Sequence, residues 1–189
     1  MEQKDIPFSR KQTAECSGAA DNAEVCRKSA GMAELRNEIT GALIGLARSM
    51  DENPRITAET WQLMIEGLLV TACNGNFREE SVRKIIDRVH AEKARLAPDC
   101  AVCAAPCGRN RDYDMDQLRS EQENVRNLKM RILDGACSVA ISAYQAMEQG
   151  KNDQDLNLLL AKALFIVGED LDAEELLPVV TELGERKHS

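Results

Sequence analysis

The sequence predicts an all-α protein of about six helices, arranged as two pseudo-symmetric three-helix units. Three observations carry that prediction. Apolar residues recur at helical spacing through most of the chain. Aromatic residues make up 3% of the 189 residues against 43% hydrophobic, so the core is made of Leu, Ile, Val, Ala and Met, which suit packed helices better than a sheet. The second half repeats the first at a constant offset of 94: Gly41-Ala42 returns as Gly135-Ala136, Phe77 as Leu171, Glu80 as Glu174, and Val82-to-Ile86 as Leu176-to-Val180.

Residues 1–31 read as irregular, with Pro7, Gly18, Gly31 and many polar residues. Over 32–50 the pattern switches to a helix with Leu35, Ile39, Ala42, Leu43, Leu46 and Met50 on one stripe, ended by Asp51-Glu52-Asn53-Pro54. Thr57 is placed to cap a second helix, with Glu59 in its first turn and Trp61, Met64, Ile65, Leu68, Leu69 and Ala72 facing inward. Asn74-Gly75-Asn76 stops it. Asn76 followed by Glu79 has the spacing of a capping box for a third helix, which carries Val82, Ile85, Ile86 and Val89 and fades near Leu96.

A single long helix is expected from about Asp114 to about Gln149, with Leu118, Val125, Leu128, Ile132, Ala136, Val139, Ala140, Ala143 and Tyr144 inward and Gly150 as its stop. A fifth runs from about Asp153 to Gly168 on Leu156, Leu159, Leu160, Ala163 and Leu164. A sixth starts near Leu171 on Leu176, Val179, Val180 and Leu183. Pro178 falls inside it and removes one backbone hydrogen bond, which predicts a kink or a late start. The chain thus divides into an irregular segment (1–31), a first helical unit (32–97), a linker (98–113) and a second unit (114–186) that forms one compact domain with the first.

Net charge is −8, from 24 basic and 32 acidic residues, which argues against general nucleic-acid binding. No apolar run approaches the ~20 residues needed to cross a bilayer, and residues 1–31 lack the apolar stretch of a signal peptide. A cytoplasmic location is expected, with no membrane partner. In that setting seven cysteines are thiols or metal ligands rather than a disulfide framework.

Three of them, Cys100, Cys103 and Cys107, crowd eight residues of the linker, among Pro98, Pro106 and Gly108. Two intervening residues let the sulfurs of Cys100 and Cys103 converge on one metal, and Cys107 adds a third. An iron–sulfur cluster is the first expectation and zinc the alternative; each takes four ligands. The fourth donor is open among Cys16, Cys26, Cys73, Cys137, His90 and an external group. Arg109, Arg111 and a helix beginning near Asp114 all favour thiolate, so metal-free exchange by Cys100 and Cys103 is a rival. A surface linker with incidental thiols is the plain alternative. Cys73 and Cys137 sit on helical stripes, where cysteine more often acts as small apolar filler. His90, beside the third helix's stripe, reads first as a partly exposed helix residue. Asp112, Asp114 and Asp116 read as charge compensation at a helix start. There is no glycine-rich phosphate loop, no Ser/His/Asp set and no H-E-x-x-H motif.

Several stretches resemble the N-terminal helical region of hybrid-cluster proteins, the hydroxylamine reductases. They are Ala33-Glu34-Leu35 leading to Gly41-Ala42-Leu43-Ile44-Gly45-Leu46-Ala47, then Glu66-Gly67-Leu68-Leu69-Val70-Thr71-Ala72-Cys73-Asn74-Gly75-Asn76-Phe77. In the second half they are Val125-Arg126-Asn127-Leu128, Ala143-Tyr144-Gln145-Ala146 and Asp170-Leu171-Asp172-Ala173-Glu174-Glu175-Leu176-Leu177. The resemblance covers most of residues 15–186. It implies a helical bundle and an iron–sulfur protein. In that family an N-terminal four-cysteine arrangement holds a cluster. Gln12-Thr13, Cys16 and Cys26-Arg27-Lys28 resemble its second part, whereas Pro7 and Arg10 stand where its first pair would fall. The hybrid cluster that reduces hydroxylamine belongs to later domains, which this sequence does not contain. The loop Cys-x-Val-Cys-Ala-x-Pro-Cys-Gly, running into Asp112-Tyr113-Asp114-Met115, resembles that of short hydroxylamine-reductase-like proteins.

The function expected is therefore metal binding through Cys100, Cys103 and Cys107, for electron transfer or redox sensing alongside a redox partner protein. A cofactor-free helical module for dimerisation is the alternative, and hydroxylamine reduction is implied by the resemblance only.

Overall fold

The computed structural model describes residues 22–72, 77–96 and 111–186, with side chains from residue 31 onward. Among these residues there are seven helices and no strand: α1 Asn22–Met50, α2 Ala58–Ala72, α3 Glu79–Leu96, α4 Met115–Ser120, α5 Glu123–Glu148, α6 Gln154–Gly168 and α7 Ala173–Arg186. The all-α expectation holds.

Helix α1 begins at Asn22, within the stretch that composition alone reads as irregular. Ala, Glu, Lys and Arg between Asn22 and Gly31 are good helix formers without an apolar stripe, so propensity carries the turn where periodicity gives no signal. Thr57 caps α2 as predicted. Its Oγ1 accepts from Thr60 N at 3.4 Å, and its own N–H donates to Thr60 Oγ1 at 3.1 Å, a reciprocal box with a hydroxyl in place of a carboxylate. The predicted Asn76 cap lies outside the described residues. α3 starts at Glu79, and its first bonds run to the Arg78 carbonyl.

The long helix expected over 114–149 is two helices. Asp114 caps α4, accepting from Asp116 N at 2.9 Å. Glu121 then turns extended (φ −66°, ψ 163°) and sends its side chain inward, and α5 restarts at Glu123. Gly150 ends α5 at φ 73°, where Lys151 N donates to Ala146 O and Gly150 N to Met147 O, a Schellman stop. Asp153 caps α6 through Leu156 N at 3.1 Å. The last helix does start late: Asp172 caps α7 by accepting from the N–H groups of Glu174 and Glu175, and Glu175 reaches back to Asp172 N at 3.0 Å. It continues through Pro178.

Packing follows the repeat. α1 lies against α2 and α3; α5 lies against α6 and α7. The two units exchange contacts crosswise, α1 with α6 and α5 with α2. At the 94-residue offset Ile39 and Leu133, Ala42 and Ala136, Leu46 and Ala140, Val82 and Leu176, Ile85 and Val179, and Val89 and Leu183 are all buried. One contiguous apolar core spans both units.

Candidate functional site

Cys100, Cys103 and Cys107 lie outside the described residues, as do Cys16 and Cys73; Cys26 falls in α1, in the part described by backbone alone. The structure does define both ends of the linker that carries the thiols. At its start, Leu96 is buried at the end of α3, and its carbonyl accepts from Asn53 Nδ2 at 2.8 Å. The same amide group donates to Ser49 O at 2.9 Å, tying the end of α1 to the end of α3.

At its finish, residues 111–113 form a strap pressed against α1. Tyr113 N donates to Gly41 O at 3.0 Å. A Cβ at Gly41 would run into the Tyr113 carbonyl oxygen, and one at Gly45 would stand 2.7 Å from the Arg111 carbonyl. Gly41 and Gly45 therefore make a seat that only a bare helix backbone provides.

Asp112, in the middle of the strap, is held from α3. Lys93 Nζ bonds its Oδ1, and His90 Nε2 stands 2.9 Å from its Oδ2. The Lys93 side chain is 7% exposed, whereas those of His90 and Asp112 are partly open. His90 and Lys93 share one face of α3 at spacing three. Sequence reasoning singled out His90 and Asp112 separately; their pairing depends on the strap's seat and has no local signature.

Tyr113 opens a closed circuit of polar side chains. Its hydroxyl donates to Glu121 Oε1 at 3.3 Å. Lys129 Nζ donates to the same oxygen at 2.6 Å and to Glu169 O at 2.8 Å. Arg48 pairs with Glu169 Oε1 at 3.3 Å, bonds Gly168 O, and sits 5.7 Å from the Tyr113 ring centroid. Burial, then the Glu121 charge, raises the Tyr113 hydroxyl far above its ordinary value, so it stays a donor. Two cations thus satisfy the carbonyls at the end of α6. Sequence reading missed Lys129 because a lysine beside an apolar stripe reads as surface. The one clue was its register with Leu35 in the repeat.

Cys137 is a free thiol packed between α5 and α2, with Sγ 3.3 Å from Thr71 Oγ1 and 3.8 Å from Leu68 O. That is the apolar-filler role expected of it. Among the described residues no cluster of three or more His, Cys, Asp or Glu side chains could hold a metal, and no helix is long and apolar enough to cross a membrane.

No family model matches the chain. It is similar to proteins named hydroxylamine reductase: 26% identical over 90% of its length to one from Methanocaldococcus jannaschii, 24% over 94% to one from Clostridium perfringens, and 28% over 97% to one from Porphyromonas gingivalis strain W83. The chain spans only 35%, 36% and 37% of these curated relatives, about a third of their length. The resemblance read from helix and turn patterns is thus borne out across the chain.

Proposed function

We propose that this helical domain binds a metal, an iron–sulfur cluster in preference to zinc, through Cys100, Cys103 and Cys107, and serves electron transfer or redox sensing for a partner protein in the cytoplasm. The observation that carries the reading is the spacing of three thiols within eight residues of a linker whose flanks are anchored. Similarity to hydroxylamine reductases, an iron–sulfur family, supports it. Leu96 and the 111–113 strap fix where the linker leaves and rejoins the bundle, which lowers the entropy lost when its sulfurs gather on one ion. Bound there, a cluster supplies a one-electron couple; the chain supplies thiolates and the positive charge of Lys93 and Arg111 nearby in sequence and space. The reading covers binding and electron transfer, not turnover of hydroxylamine.

The test is the visible spectrum of the full chain purified without oxygen. Charge-transfer absorption that Cys103→Ser removes supports a cluster. A colourless protein carrying zinc moves the reading to the alternative metal. Colourless, metal-free protein whose Cys100 and Cys103 titrate as a reversible dithiol replaces it with thiol exchange.

A further inference from the structure

We infer that His90 is the nitrogen donor that completes this metal site, with Asp112 as the carboxylate that orients it. The inference rests on the metal-binding reading above and sharpens it to a Cys3His ligand set.

Metal-bound histidines almost always donate their second ring N–H to a carboxylate or carbonyl, which fixes the tautomer and strengthens the ligating nitrogen. His90 already has that partner. With Nε2 2.9 Å from Asp112 Oδ2, an ionised Asp112 takes the Nε2 proton, and the lone pair is left on Nδ1. Lys93, on the other carboxylate oxygen, neutralises Asp112, so the imidazole is not driven to imidazolium. The His90 side chain is 42% exposed, open enough to accept a ligand.

Chain connectivity brings the thiols to the same place. The linker leaves α3 at Leu96, six residues and about 9 Å along the helix from His90. It returns at Asp112, which touches His90 itself. Cys107 is five residues before Asp112 and Cys100 four after Leu96, so their backbones lie within roughly 18 Å and 14 Å of those anchors. Of the donors weighed from sequence, Cys137 has its sulfur packed against Thr71 and Leu68 of α2, and His90 alone among the described ones carries an orienting carboxylate.

The experiment titrates cobalt(II) into the reduced full chain under anaerobic conditions and reads the tetrahedral ligand-field bands. Helix content by circular dichroism confirms that each variant is folded. The wild type should bind with a spectrum of mixed sulfur and nitrogen ligation. His90→Ala should change the bands and weaken binding. Asp112→Asn should keep the bands and weaken binding by about 10–100-fold, as loss of an orienting partner does. His90→Gln supplies a second variant of similar size should the alanine form unfold. If both His90 variants bind as the wild type does, with Cys103→Ser abolishing binding, the nitrogen donor is wrong and the thiol site stands. If the wild type binds no cobalt, both fall.

Discussion

Leu35 of α1 and Lys129 of α5 hold equivalent places in the repeat, and both are buried, at 2% and 1% exposure. One is an ordinary core leucine. The other is a lysine wired to Glu121 and to the carbonyl that ends α6. The first unit is held at this point by apolar packing. The second takes a charge into its interior, at the spot where the linker strap and the α4–α5 break meet. An isolated ammonium is costly to bury, so Lys129 stays only because a carboxylate and a carbonyl satisfy it. The difference teaches that the repeat supplies the bundle, while its departures from symmetry anchor the linker.

The largest effect should come from breaking the circuit on one side. Glu121→Ala leaves Lys129 buried and without its carboxylate, and should cost about 3–5 kcal/mol in chemical denaturation. Lys129→Leu, which restores the apolar residue of the first unit, should be close to neutral, provided Glu121 turns out to solvent. If the leucine variant proves as damaging as Glu121→Ala, the charge has a role beyond the balance of burial. Next is Gly41→Ala. The added methyl displaces the strap and should cost about 1–3 kcal/mol, with faster amide exchange at Tyr113 than at core positions of α5.

The pH dependence should be smaller and should separate the two regions. Burial and the Glu121 charge raise the folded Tyr113 value, so the unfolded state gives up this proton first. Stability therefore falls as pH rises past 10.0, the ordinary tyrosine value, and Tyr113→Phe should flatten that limb. Glu92, at the α2–α3 contact, has its carboxyl lowered by the Arg95 hydrogen bond, with a further bond from Thr60. Its contribution is present above about pH 4.5, lost as pH falls further, and worth within about 1 kcal/mol; Glu92→Gln should remove it from an acid titration.

The helices were legible because their signals are local. Thr57, Asp153 and Gly150 announce starts and stops within one turn, and the buried stripes follow a 3.6-residue period. The break at Glu121 was not legible. Its cause is a lysine eight residues away and a tyrosine from the linker, and nothing in the surrounding sequence differs from a solvated helix. Asn22–Gly31 escaped for the opposite reason, since helix there rests on propensity without an apolar face. The thiol cluster was visible from spacing alone. The His90–Asp112 pair bridges 22 residues and needed the fold.

The most direct test of the central claim is metal stoichiometry in the full chain, measured by elemental analysis on wild type and on a variant with Cys100, Cys103 and Cys107 all changed to serine. Bound iron or zinc in the wild type, gone in the variant while helix content is kept, is the predicted result. Equal metal in both proteins, or none in either, would contradict it.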